Sequence, residues 1–566
     1  MNAHAEIDQF AAYDADLETL AAHKDAWVEV SVKERIKLLR AIKRATAAVA
    51  EGWVETAARK KLLPENAPLA GEEWFSGPYG VIGACDALIR TLQGMEGHAF
   101  LRDLPKRYLK SGQLAVQTFP STLWDSLLIS GVTAEVWMQP GVTEANLAEH
   151  TATAYAEKGP GKVALVLGAG NIASIAPLDC FQKLFQENQV VLLKMNPVND
   201  YLTDYLRAAL KPLIDGGFLR IVKGDGAAGA YLTEHKLVEE IHITGAGATH
   251  DLIVWGGGEE GEKAKTAGTP RNTRPMSSEL GAVCPTIVVP GPWSDADIAF
   301  QAEHIATQKL HNGGFNCVAC QVLVMPSDWA RGGELLEATK RVIADHTRPS
   351  YYPGTEGRVE AFAASGESET VARVDGSGFP VARHTEAHDK VEVFAPALSV
   401  QEIAGEGAAY LRAAIAFAND RLYGTLGANI LIHPTTLREI GKRRFEELIT
   451  ELRYGTIAVN AWTGVGFLTA QATWGAFPGH TPGDVQSGIG VVHNSYMFAK
   501  PERTVVRGPW APFPRSLAMG EKSLLPKPPW FITHRRAHKV GKGLVGFVAK
   551  PKLWKLPGIV LNALRG

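Results

Sequence analysis

Cysteine is scarce in this chain of 566 residues, which has only Cys85, Cys180, Cys284, Cys317 and Cys320. So few thiols over such a length exclude a disulfide framework and fit a reducing compartment. Also missing is any run of about 18 uncharged apolar residues, the length a membrane-crossing helix needs. The opening MNAHAEIDQF has no basic stretch followed by an apolar one, so no export leader is read there and a cytoplasmic location is expected. The single C-x-x-C, Cys317 to Cys320, has neither a second such pair nor closely spaced histidines beside it, so no metal is expected. A dithiol redox centre would open a helix, whereas Cys320 runs straight into the strand-like QVLVM.

What is present is an ordinary globular composition, 46% hydrophobic and 21% charged, in a chain too long for one core and therefore divided into several domains. From residue 16 to 60, KERIKLLRAIKRATAAVAEGW places apolar residues three and four apart, as on a helix. The middle then alternates. KVALVL reads as a strand, PLDCFQKLFQEN as a helix, QVVLLKM as a strand, YLTDYLRAALKPLIDGG as a helix, FLRIV as a strand, AGAYLTEH as a short helix and EEIHIT as a strand. That rhythm predicts a parallel sheet covered by helices. A polar, glycine-rich stretch over 254–276 reads as a loop or hinge. A second α/β series follows it, from TIVVP through CQVLVMP to the apolar stretches VEVFAP and ANILIH.

Within this frame VALVLGAGNIA contains G-x-G-x-x-A directly after a strand, the pattern that lets backbone approach a pyrophosphate. The acidic residue that pattern wants at the end of the next strand is replaced by Lys194. Four stretches in fixed order account better for the turn: GNIASIAP with VVLLK, HITGAGA (242–248), SSELGA (277–282) and GGFNCVA (313–319). Together they resemble the aldehyde dehydrogenase superfamily. VEVFAPAL (391–398), FANDRLYGTLGA (417–428) and GTIAVN (455–460) match its later landmarks, so the resemblance runs from about residue 15 to 510.

The resemblance implies an α/β fold with a Rossmann-type cofactor domain, a second α/β catalytic domain and a small β oligomerisation element. It implies NAD(P)-dependent oxidation of an aldehyde to a carboxylic acid by a homodimer or homotetramer. Cys317 falls at the nucleophile, a residue type suited to the work because a thiolate attacks a carbonyl readily and yields a thiohemiacetal that can expel hydride. Asn171 and the Cys317 N–H are implied as oxyanion donors, and Glu279 as the general base that activates water against the thioester. For NAD or NADP, the resemblance places Lys194 at the adenosine ribose, Gly245 and Ala246 at a helix start beside the pyrophosphate, Glu392 at the nicotinamide ribose and Phe394 against its ring. Cys320 reads as a small buried neighbour.

Five residues depart from the family pattern. Gly170 stands for its usual Trp, Phe315-Asn316 for Gly-Gln, Ala246 for Ser, and Pro197 for a glutamate that repels a 2'-phosphate, which leaves both NAD and NADP open. The expected domains are 1–125 with 161–278 for the helices and cofactor, 279–480 for catalysis, 126–160 with 481–510 for the oligomerisation element, and 511–566 as an extension. From Pro501 on, thirteen Lys or Arg face two Glu, a net +11 that leaves −13 on residues 1–500. Such a tail suits either its own acidic body or, with its interleaved aromatics, peripheral contact with an anionic membrane. No nucleic-acid fold accompanies it, so none is expected as partner. A CoA-acylating or acyl-reducing activity is the alternative within enzymes, and a non-catalytic scaffold the alternative outside them.

Overall fold

Two long helices open the chain, α1 (Ala3–Glu29) and α2 (Val32–Lys60). The computed structural model describes residues 3–566, with side chains from Phe10 onward. Ser31 sets the joint between the helices: its hydroxyl accepts the Glu34 N–H at 3.2 Å and satisfies a donor that a helix start leaves unpaired. The apolar stripe of the pair, including Leu17, Trp27, Leu39 and Trp53, packs into the largest core. Next come α3 (Gly71–Trp74), α4 (Gly80–Gln93), β1 (Lys106–Tyr108), β2 (Leu114–Phe119), α5 (Leu123–Leu128) and β3 (Thr133–Met138).

The alternating region supplies β4 (Val163–Leu167), α6 (Ile175–Phe181), β5 (Val190–Lys194), β6 (Leu219–Val222), α7 (Gly226–Glu234), β7 (Glu240–Gly245), α8 (Gly247–Trp255), α9 (Gly258–Ala267) and β8 (Met276–Leu280). Every residue of β4 and β5 is buried, as expected of parallel strands covered on both faces. The stretch read as a loop over 254–276 contains α9, whose alternating charges resemble linker composition while its backbone is helical.

The second series supplies β9 (Pro285–Val288), α10 (Asp295–Leu310), β10 (Val322–Pro326), β11 (Ser368–Ala372), β12 (Gly378–Arg383), β13 (Leu398–Ile403), β14 (Gly427–Leu431) and β15 (Thr456–Val459). The short strands β16 (Trp474–Gly475), β17 (Gly488–Ile489) and β18 (Val491–Val492) lead to β19 (Pro501–Arg507), and the extension holds α11 (Ala537–Ala549) and α12 (Leu556–Ala563). VEVFAP forms no strand; it approaches β13 as irregular chain.

Two large sheets result. One runs β17-β8-β7-β4-β5-β6, parallel apart from β17. The other runs β1-β2-β3-β19-β15-β14-β9-β10-β13-β12-β11. Its parallel centre, including β19 on β15, carries an antiparallel β1-β2-β3 wing. The strand expected to build an oligomer is thus hydrogen-bonded on both edges within its own chain, to β3 and to β15. Although β1 and β2 precede residue 125, they belong to this wing and not to the cofactor sheet. Glu279, expected to begin the second domain, is the fourth residue of β8 and ends the first sheet.

Candidate active site

The site assembles at the carboxyl ends of parallel strands, where loops leaving the two sheets meet. A cavity of about 940 Å³ runs from Lys194 and Asp225 at one end to Glu279, Cys317, Glu392 and Phe394 at the other. All eight residues singled out in the sequence line it.

Cys317 follows a tight turn in which Asn312, Gly313 and Gly314 all take positive φ, a conformation that glycine supplies without steric cost. Its thiol Sγ lies 3.6 Å from Glu279 Oε1. Glu279 is held there by register, since β8 pairs it with Thr244 of β7 and with Gly488 of β17. At Gly488, with φ +117°, a Cβ would come within 2.0 Å of the Ser278 carbonyl oxygen, so only glycine lets β17 close on β8. The Cys317 backbone N–H has no acceptor among the described residues, which leaves it free for an oxyanion.

Asn171 donates through Nδ2 to the Phe315 carbonyl at 3.1 Å. That bond uses one of the two amide hydrogens and ties the turn after β4 to the cysteine loop. Gly170 explains its own departure from the family: a Cβ there would sit 2.6 Å from Asn196 Oδ1.

Burial governs the protonation of the group. Glu279 is fully enclosed, Oε2 has no hydrogen-bond partner, and its carboxyl is pushed up to about 7, first by burial and then by the charge of Asp179. Burial, then the carboxylates of Glu279 and Glu392, hold the Cys317 thiol well above its ordinary value. The resting pair is therefore a thiol donating to a carboxyl group that ionises near neutrality, the arrangement in which a base must accompany the nucleophile.

The rest of the cavity fits a dinucleotide. Helix α8 starts at Gly247 without a side-chain cap, at the cavity wall formed by Gly245, Ala246 and Thr249, a kind of place that favours an anion. Lys194, at the end of β5, is buried, with its amine lowered by burial; it makes no ion pair among the described residues. Glu392 Oε1 is an enclosed acceptor without a donor, and burial raises its carboxyl to about 8. Phe394, at φ +42°, packs edge-on to Tyr352 at 5.1 Å.

Two features escaped the sequence reading. A Cβ on Gly281 would stand 1.7 Å from Glu392 Oε2; the glycine in SSELGA was quoted only as part of a motif. Lys61, directly after α2, looks in sequence like one more surface cation of a helix end. It is in fact buried, with its amine 3.0 Å from the Asn171 carbonyl oxygen, 3.1 Å from Asn312 Oδ1 and 3.0 Å from Glu73 Oε1. Arg348 completes this buried cluster by pairing with both Glu72 and Glu73. Together the four ions brace the turns that carry Asn171 and Cys317.

Residues 182–346 match the family model described as the aldehyde dehydrogenase family. Over 191 residues the chain is 24% identical to the dimeric NADP-preferring aldehyde dehydrogenase of Mus musculus, covering 34% of this chain and 38% of that protein. Over 205 residues it is 22% identical to aldehyde dehydrogenase family 3 member I1 of Arabidopsis thaliana, covering 36% and 34%. The matched region thus spans little more than a third of these relatives. In fold the likeness extends further. An NAD-dependent aldehyde dehydrogenase of Sinorhizobium meliloti superposes with TM-score 0.55 at 17% identity over 87% of this chain and 85% of its own. The NADP-dependent glyceraldehyde-3-phosphate dehydrogenase of Bacillus halodurans, solved with NADP, gives 0.56 at 18% over 87% and 90%. The ordered motifs, the family match over residues 182–346 and the shared architecture converge: the chain is similar to the aldehyde dehydrogenase family in sequence over that stretch and shares the fold of its solved members over most of its length.

Proposed function

We propose that this protein oxidises an aldehyde to a carboxylic acid with NAD or NADP, through a thioester on Cys317. The observation that carries the reading is the 3.6 Å approach of the Cys317 thiol to Glu279, made at one end of a cavity whose other lining suits a dinucleotide. With its carboxyl near 7, Glu279 as carboxylate takes the thiol proton while sulfur adds to the aldehyde carbonyl. The Cys317 N–H and the remaining Asn171 amide hydrogen meet the oxyanion. When bound, NAD(P) supplies the hydride acceptor that turns a thiohemiacetal into a thioester. Lys194, the start of α8, Glu392 and Phe394, which line the cavity, would hold that cofactor. Glu279, once free of its proton, takes another from the water that attacks the thioester and releases the acid.

A base so placed favours water over CoA as acyl acceptor, because a thiol acceptor needs no such activation. The test is acid formation from aldehyde and NAD(P) with CoA omitted. Cys317→Ser is expected to lower kcat by at least about 10³-fold, since it removes the nucleophile itself. Acid production that depends on CoA, or activity that survives in Cys317→Ser, would overturn the reading. A cytoplasmic location and a homodimer or homotetramer belong to the same proposal. With both edges of β19 taken, assembly has to use other surfaces, which light scattering of the full chain tests.

A further inference from the structure

On the side of Cys317 away from the cofactor cavity lies a second, apolar chamber, walled by Ile172, Val318, Trp462, Phe467 and Trp474 with the cysteine at its floor. Its volume of about 30 Å³ holds a water-sized group and no acyl chain. Leu468 of its outer wall packs in one apolar cluster with Phe75 and with Val540, Phe547 and Ile559 of the extension. Trp124 of α5 meets Phe547 edge-on at 5.2 Å. The extension and α5 therefore roof the chamber.

The outside of that roof is unlike the rest of the surface. Leu123 of α5 is 78% exposed, Leu553 70% and Trp554 71%, and Val560, Leu561 and Leu564 along α12 are exposed as well. An apolar set of this size facing water marks a contact surface. From Arg535 to Gly566 there are eight Lys or Arg and no Asp or Glu. Some of the tail's charges pair with the body, Arg515 with Asp297, Lys527 with Glu303 and Lys542 with Glu51. Lys550, Lys552 and Arg565, beside the exposed apolar residues, make no ion pair among the described residues. A band of Leu and Trp fringed by unpaired cations is complementary to an anionic bilayer surface, where apolar groups enter the acyl boundary and cations meet phosphates. Among the described residues no helix is long and apolar enough to cross a membrane, so the contact is peripheral.

We infer that α5 and α12, with the 550–555 turn, dock the chain on anionic membranes and set the roof of the apolar chamber beside Cys317 against the lipid. The docking does not rest on the proposed oxidation. The test is co-sedimentation of the full chain with phosphatidylcholine vesicles, with and without phosphatidylglycerol, at low and high salt. Binding is expected only with the anionic lipid and is expected to weaken as salt rises. Trp554→Glu with Leu561→Glu should cut it by about tenfold or more, and Lys552→Glu by about fivefold or more. Both changes are on the surface, so the thermal midpoint and turnover of a short soluble aldehyde should hold. Equal binding to neutral vesicles, or none to either, overturns the inference. So does a dimer that Trp554→Glu dissociates, since a second copy would then cover the band. Binding without any aldehyde oxidation would leave the docking standing and sink the proposed function.

Discussion

Glu279 shows how one side chain joins catalysis to a cost in stability. Its carboxyl is near 7 in the folded chain and about 4.5 when unfolded. Below pH 4.5 both states are protonated, so nothing is lost. As pH rises from 4.5 toward 7 the unfolded chain ionises first, so stability falls, and above 7 it levels off. Acid production should rise through the same interval as the base form appears. Glu279→Gln is expected to lower kcat by about 10²-fold or more and to be the more stable protein at pH 8 by on the order of 2 kcal/mol. Urea unfolding of both proteins at pH 5 and pH 8 checks this; an equal difference at the two pH values would refute the assigned burial of the charge.

At the scale of elements, the site depends on turns that hold strand ends at fixed distances. Gly281, just past β8, leaves room for the Glu392 carboxylate, and the atom a Cβ would strike is the far end of that flexible side chain. Gly281→Ala should therefore fold, with a thermal midpoint within a few degrees of the parent, yet swing Glu392 aside. Titration of cofactor fluorescence is expected to show binding weakened by about tenfold, the loss of one hydrogen bond. Lys61 links α2 to the Asn171 turn. Lys61→Met leaves the enclosed Glu73 with Arg348 alone, at a cost of about 3 kcal/mol, and takes one of three donors from the Asn171 carbonyl, which keeps the Asn312 amide and the Tyr351 hydroxyl; the loosened turn should lower kcat with KM little changed. The double variant Lys61→Met with Glu73→Gln should recover most of the stability by denaturant unfolding and little of the kcat.

At the scale of the molecule, the extension is part of the folded body. Trp510 and Ile532 enter the core around α10, Trp530 and Phe531 cover β19 and its neighbours, and Phe547 and Ile559 seal Phe75. Each such side chain contributes about 1.5–3 kcal/mol when buried, and the sum rivals the whole stability of a domain. A chain ending at Gly508 is therefore expected to be found in the insoluble fraction on expression, while one ending at Lys552, which removes α12 only, should stay soluble with a lower thermal midpoint. A soluble, fully active chain ending at Gly508 would show that the extension is an appendage. In the intact chain the body's acidic charge is met partly from within, by Arg515, Lys527 and Lys542.

The sequence by itself determined the chemical inventory and the local shapes. Alternating apolar runs, glycines where φ must be positive, and the ordered stretches around Asn171, Lys194, Gly245, Glu279, Cys317 and Glu392 are properties of neighbours along the chain, where steric and periodic rules act directly. Tertiary structure alone decided that β19 closes on its own sheet, that Glu279 arrives from the cofactor side, that Lys61 lies under the catalytic turns, and that Lys550, Lys552 and Arg565 make no ion pair among the described residues. Those outcomes depend on distances between residues hundreds of positions apart and on the removal of water from charged groups, and neither is encoded in any single stretch.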